Sequence, residues 1–263
     1  YLPRDIANEI LRDPDRLALH GEKRAIYALF TDLEGFTKLS HAIEPETLAF
    51  LLNRYLEILS EVVLRHGGTI DKFVGDAVVA FWGAPIARPD DAERAAQAAV
   101  AMYKAGEAFR AEAPEGVPPI GCTRVGLHRG DAIVGNFGGE GRIQYTALGD
   151  SMNLAARLEG ANKQLKTCAL VSETAVEGVT SVRFRPMGRV AVRGRATPIA
   201  VYEPVPDMKE ADVTRLTALV RRFDDGDATA LKELEAYCAD HPDDAALANL
   251  VYRLRNIGAG GSF

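Results

Sequence analysis

Two aspartates in this chain stand where a divalent cation could be held. Asp32 closes the apolar run Ala25 to Phe30 (AIYALF) after Thr31, and Asp76 follows Gly75 between two further apolar runs. Carboxylates at strand ends can converge, and Mg²⁺ or Mn²⁺ takes one or two carboxylates together with substrate phosphates. Asp76 also reads simply as a turn former, because Gly-Asp is common in turns. Asp32 is harder to set aside, since an acid ending a buried strand must find a partner. Gly35-Phe36-Thr37 come next, a turn leading into a helix, whose backbone N–H groups suit a phosphate. Lys72 lies on the strand before Asp76, and Thr146 on a strand before Gly149-Asp150; a solvated lysine and an ordinary β-former are the plain alternatives. Asn153 and Arg157 are four apart and share one helix face. Asn offers a donor and an acceptor, and Arg a permanent forked cation, a pair suited to orienting a sugar and stabilising charge on a phosphoryl group. A surface i,i+4 contact is the alternative. Arg193 and Arg195 flank Gly194 and read either as a triphosphate clamp or as a solvated basic turn.

These residues need elements to hold them. The AIYALF run predicts a buried strand. Leu48, Leu51, Leu52, Tyr55, Leu56, Leu59, Val62 and Val63 predict a helix of about five turns, with Pro45 in its first turn and Gly67-Gly68 at its end. Thr69 to Val74 and Ala77 to Trp82 flank Gly75-Asp76 as a hairpin. Asp90-Asp91 is expected to cap an Ala-rich helix over about 91–112. Cys122 to Leu127 and Ala132 to Phe137 read as two strands joined through His128-Arg-Gly-Asp131. Ile143 to Leu148 reads as a strand, Gly149-Asp150 as the start of a helix to about Leu165, and Ala169 to Ser172, Val182 to Val192 and Ile199 to Glu203 as strands. Irregular interleaving with hairpins argues for an α+β sheet over a doubly wound one. Beyond Pro206 only helical periodicities remain, with breaks at Gly226 and Pro242, predicting two or three packed helices.

Composition narrows the partners. With 263 residues, 47% hydrophobic and 26% charged, the chain can bury a sizeable core. Lys plus Arg is 31 and Asp plus Glu 37, a formal net charge of −6, so a global basic footprint for nucleic acid is absent. Cys122, Cys168 and Cys238 are far apart in sequence with no CxxC, which suggests neither a disulfide framework nor a zinc site. No uncharged apolar run reaches the roughly 18 residues that span a bilayer. The chain begins at Tyr1 rather than Met, from which processing or excision from something longer is expected.

Phe30-Thr-Asp-Leu-Glu-Gly-Phe-Thr37, Asp71-Lys-Phe-Val-Gly-Asp76 and Tyr145-Thr-Ala-Leu-Gly-Asp-Ser-Met-Asn-Leu-Ala-Ala-Arg157 together resemble the class III nucleotidyl cyclase catalytic domain, most closely the bacterial adenylate cyclases. The resemblance runs from about Arg24 to Pro204. It implies a ferredoxin-like βαββαβ-type sheet with helices over 25–205, preceded by a linker (1–24) and followed by a helical extension (206–263). It implies an adenylate cyclase that converts ATP to 3′,5′-cyclic AMP and pyrophosphate, with two divalent ions, Mg²⁺ or Mn²⁺, held by Asp32 and Asp76 with the backbone at Leu33 assisting. By the same resemblance Asn153 orients the ribose, Arg157 is the transition-state cation, Lys72 and Thr146 select adenine, and Phe36 and Thr37 fall in the phosphate-binding loop. Arg195 matches a triphosphate-binding Lys, and Arg193 could serve instead. Guanylate cyclases of the family carry Glu at the Lys72 position. The family's site lies between two catalytic domains, so a head-to-tail homodimer is implied, active in the cytoplasm. The start of the chain is similar to linkers that follow upstream sensor modules, often anchored in the inner membrane. A guanylate cyclase and a catalytically silent nucleotide-binding module are the alternatives.

Overall fold

The computed structural model describes residues 21–139, 142–191 and 197–257. β1 (Glu22–Leu33) contains the AIYALF run and extends beyond it at both ends, taking in Glu22 to Arg24 of the expected linker. Its side chains alternate as a buried strand requires: Ile26 and Ala28 join the core on one face, Leu29 and Leu33 the core on the other. The turn at Gly35 opens a separate seven-residue helix, α1 (Phe36–Ala42), rather than the long one. The break has a local cause. Glu44 precedes Pro45, and the residue before a proline is driven out of the helical region; Glu44 is accordingly extended. α2 (Pro45–Arg65) then buries Leu51, Tyr55, Leu59, Val62 and Val63.

β2 (Thr69–Val74) and β3 (Ala77–Trp82) form the expected hairpin, with Val74 paired to Ala77 and Gly75 at φ +62° in the turn. α3 (Asp91–Ala111) follows. Asp90 stands at its N-cap but makes no capping bond; its carboxylate takes Arg94 Nε instead (2.8 Å), and the Asp91 carboxylate accepts the Arg88 N–H (2.7 Å). The two strands expected around His128 are one, β4 (Thr123–Gly139), because β1 pairs with it from Glu22↔Val134 to Leu33↔Thr123. His128 is buried within it and its Nδ1 meets Ser172 Oγ at 2.8 Å.

The chain continues through β5 (Arg142–Leu148), α4 (Asp150–Leu165), β6 (Ala169–Ser172), the short α5 (Glu173–Val176), β7 (Phe184–Val190) and β8 (Ile199–Pro204). β7 is shorter than the predicted Val182–Val192 segment, whose last residue lies outside the described ones. The sheet order is β2-β3-β1-β4-β6-β8-β7, with β5 paired to β4. Its first four strands, read as β4-β1-β3-β2, with α2 and α3 packed on one face, are the expected βαββαβ arrangement. α4 covers the opposite face through Met152 and Ala155.

Three helices end the described chain: α6 (Glu210–Asp224), α7 (Ala228–Ala239) and α8 (Ala245–Ile257). Leu216, Leu219, Leu234, Leu247 and Leu250 share one core with Leu158 and Leu165 of α4 and Met187 of β7. A buried ion network fixes the contact. Arg185 of β7 binds Glu203 of β8 (Nε to Oε2, 2.7 Å) and also Asp244, whose Oδ1 accepts the Leu247 N–H at the start of α8 (2.9 Å).

Candidate active site

The two aspartates meet at one end of the sheet. Asp32 is the penultimate residue of β1, and the β2–β3 turn folds back so that Asp76 Oδ2 accepts the Leu33 N–H at 2.7 Å. Burial, and then the charge of Asp32, raises the Asp76 carboxyl above the ordinary aspartate range, against the backbone N–H bonds that stabilise its anion. On its other side Asp32 forms an ion pair with Arg124, its register partner on β4. The Arg124 Nε lies 3.2 Å from Glu159 Oε1 of α4. Burial and the nearby Asp32 push the Glu159 carboxyl up to about 7, with Arg124 pulling the other way. α4 can come this close because β4 has glycine beneath it: a Cβ on Gly126 would lie 2.2 Å from Ala155 O and 2.3 Å from Glu159 N.

Among the described residues there is no group of three or more Asp, Glu, His or Cys side chains placed to hold a metal. Two converging carboxylates at the end of the sheet are nonetheless a donor set that fits an ion shared with phosphate oxygens. Asp32, Asp76 and the backbone at Leu33 are the residues placed for it.

A second cluster gathers where β2 meets β5. Lys72 Nζ is 3.4 Å from Asp71 Oδ2, and Gln144 Nε2 donates to the Asp71 carbonyl at 3.1 Å. Burial raises the Asp71 carboxyl, while the neighbouring Thr146 hydroxyl and Lys72 oppose the shift. Thr146 is buried, and its Oγ1 is not aligned for a hydrogen bond. Lys72 is exposed beside it, so this chain brings its two candidate base-reading residues together.

Asn153 and Arg157 lie on the exposed face of α4. The helix geometry decides where they point. Residues two apart on a helix are about 200° around its axis, and Glu159 faces inward to Arg124 and Asp32. Arg157, and Asn153 four residues before it, therefore turn away from the carboxylates of their own chain. Arg157 lines a surface hollow of about 320 Å³ with Gln164, Val190 and Ala191. Arg193 and Arg195 lie outside the described residues. Phe36 is half-buried and Thr37 exposed at the start of α1.

The sequence patterns did not single out Asp71, Arg124 or Glu159. Asp71 sits inside one of the motifs, so its place was visible. Arg124 and Glu159 enter only through the β1–β4 register and the seating of α4.

Residues 20–203 match the Adenylate and Guanylate cyclase catalytic domain. The chain belongs to this family. Adenylate cyclase 1 of Rhizobium meliloti is 38% identical over 216 residues, covering 81% of this chain and 32% of the relative. Adenylate cyclase of Anabaena cylindrica is 32% identical over 188 residues, covering 68% of this chain and 36% of the relative. The cyclase chain thus spans about a third of the length of these curated relatives. Among solved structures, the adenylyl cyclase CyaB from P. aeruginosa is 35% identical with a TM-score of 0.65, covering 73% of this chain and 98% of that one. The guanylyl cyclase Cya2 is 30% identical with a TM-score of 0.64, covering 74% and 98%. The cyclase fold therefore occurs with both base preferences among these neighbours, and family membership leaves the base to be argued from the site. No helix among the described residues is long and apolar enough to cross a membrane.

Proposed function

We propose that this cyclase is an adenylate cyclase, converting ATP to 3′,5′-cyclic AMP and pyrophosphate at sites shared by two copies of the chain. The observation that carries the reading is the pairing of Lys72 with Thr146 around the buried Asp71. Lys is a donor only and suits N1 of adenine, an acceptor; the Thr hydroxyl can accept from the N6 amino group. Guanine presents an N1–H there, and two donors would face each other. The likeness to the guanylyl cyclase Cya2 favours the other base, but a lysine at this position argues against it.

Asp32, Asp76 and the Leu33 backbone would hold two ions, Mg²⁺ or Mn²⁺. Bound there, they would supply the positive charge that lowers the cost of ionising the ribose 3′-hydroxyl and of gathering the triphosphate. The 3′-oxygen forms a bond to the α-phosphorus as the bond to the bridging oxygen of pyrophosphate breaks, and the hydroxyl proton leaves to solvent. Asn153 orients the ribose, and Arg157 stabilises the charge that grows on the phosphoryl oxygens. Phe36, Thr37 and Arg195, or Arg193 in its place, are assigned to the phosphates. Because Asn153 and Arg157 face away from their own carboxylates, each site takes these two residues from a second chain. Phe73, Val74, Ile133 and Leu148 are apolar yet exposed on the β2–β3 hairpin and the β4–β5 pair, as a surface that meets another copy would be. The catalytic part is assigned to the cytoplasm, with a sensor module upstream in the full-length protein.

Assaying ATP and GTP side by side over a range of protein concentrations tests the reading. Cyclic AMP should dominate, and specific activity should rise with concentration as dimers form. A preference for GTP would remove the assignment of Lys72 and Thr146. Tight ATP binding by a confirmed dimer, with Mn²⁺ present and no product, would mark a silent nucleotide-binding module.

A further inference from the structure

Arg124 is flanked on two sides, and only the Asp32 side carries a hydrogen bond, from Arg124 Nη2 to Asp32 Oδ2. It forms an ion pair with Asp32, and its Nε approaches Glu159 Oε1 at 3.2 Å. That second approach is not aligned as a hydrogen bond: both atoms are buried and neither has a hydrogen-bond partner. The side chains of Arg124 and Glu159 keep only 13% and 16% of their exposure, so water does little to compensate either charge. Two carboxylates, Asp32 and Glu159, thus flank one guanidinium, with the charge of Glu34 also acting on it.

We infer that Arg124 is a positioning residue that exchanges partners, holding Asp32 while no metal is bound and completing its pair with Glu159 when a divalent cation takes Asp32. The inference rests on reading Asp32 and Asp76 as metal carboxylates. Its physical basis is charge compensation. Asp32 and Asp76 repel, and Arg124 offsets that repulsion in the metal-free chain. A divalent cation on Asp32 repels the guanidinium, and a buried cation stripped of its partner is strongly disfavoured. Glu159 removes that obstacle because it is already beside Arg124 with an unused oxygen. α4 cannot withdraw it, since α4 is seated against the backbone of β4 at Gly126. Arg124 therefore competes with the metal for Asp32, and Glu159 competes with Asp32 for Arg124.

This predicts opposite signs for two neighbouring substitutions. Mn²⁺ binding to the full chain, followed by the electron paramagnetic resonance signal of the free ion, reads them without turnover. Arg124→Gln removes the competitor, so the apparent Kd should fall about tenfold. The metal-free protein should melt lower, and the rise in Tm on adding Mn²⁺ should be larger than in wild type. Glu159→Gln leaves Arg124 on Asp32, so Kd should rise about tenfold. In the double variant the Glu159 effect should vanish, because it acts only through Arg124. Arg124→Lys keeps the charge and serves as the folded control if the Gln variant is too unstable; its Kd should stay near that of wild type. A purely structural role would lower Tm in both single variants while leaving both Kd values within twofold of wild type, and that result overturns the exchange. Equal-sign shifts overturn it as well. Failure of the underlying reading looks different: wild type would bind no Mn²⁺, or Asp32→Ala would bind as tightly as wild type.

Discussion

At the carboxylate end, Asp32 has Arg124 beside it and Asp76 takes the Leu33 N–H, so the charges are compensated within one chain. On the outer face of α4, Asn153 and Arg157 stand at the surface with the carboxylates of their own chain behind them. In the proposed reading the first region is finished by folding and the second by association. Assembly is then, in that reading, a condition of chemistry: one folded chain holds both Asp32 and Arg157 but turns them in different directions.

The contrast is broken most directly by mixing. Asp32→Ala alone should lower cyclic AMP formation by at least about 10³-fold, several kcal/mol of lost charge stabilisation. Combined with an equal amount of Arg157→Ala chains under exchange, activity should return to about a quarter of the wild-type value, since half of the dimers are mixed and each has one intact site. No recovery, with exchange verified by labelled subunits, counts against shared sites.

Arg157→Ala alone sharpens the distinction. Turnover should fall about 10²–10³-fold, while Mn²⁺ affinity stays at the wild-type value, because the side chain is exposed on the face of α4 turned away from Glu159 and Asp32. A matching loss of Mn²⁺ affinity would mean that the two regions are not separate within the chain. Lys72→Ala should have a smaller effect, cutting the ATP-over-GTP preference in kcat/KM by about tenfold or more. An unchanged ratio from parallel assays would move base recognition elsewhere.

The smallest effect belongs to the scaffold outside both regions. Glu93 of α3 accepts bonds from the backbone and side chains of Thr180 and Ser181. Slight burial works to raise its pKa, but these bonds prevail and hold it down to about 2 from an ordinary 4.5. A carboxylate with a depressed folded pKa contributes stability above its unfolded pKa and loses it as pH falls toward the folded value. Glu93→Gln should therefore cost about 0.5–1 kcal/mol at pH 7, after discounting for solvent exposure. The difference from wild type should shrink between about pH 4.5 and 2, read from thermal melts across pH, with activity unaffected.

Legibility in the sequence followed the range of the interactions. The β2–β3 hairpin was readable from Gly75-Asp76 and its apolar flanks, and α2 from the spacing of Leu51, Tyr55, Leu59 and Val62, because both signals are local. The separate α1 was missed although its cause, Glu44 before Pro45, is local too. β4 was divided because His128-Arg-Gly-Asp131 is polar; the partner that lets His128 sit inside a strand, Ser172, lies 44 residues away. The candidate site divides in the same way. Asp32, Asp76, Lys72, Thr146, Asn153 and Arg157 lie within motifs whose order identified the family. The roles of Arg124 and Glu159 depend on strand register and helix seating, which no window of neighbouring residues contains.

The unbroken β4 has a mechanical consequence. Its first residues pair with the end of β1 that carries Asp32, and its last pair with β5, where Gly135 lies opposite Thr146. One extended segment of 17 residues, about 55 Å of backbone at the usual rise, is therefore a strut joining the Asp32 end of β1 to the edge where β5 carries Thr146. Its ends cannot approach or separate without breaking the ladder. With sites shared as proposed, a signal that respects this strut would act by rotating one whole chain against its neighbour, and the same motion would tune both sites.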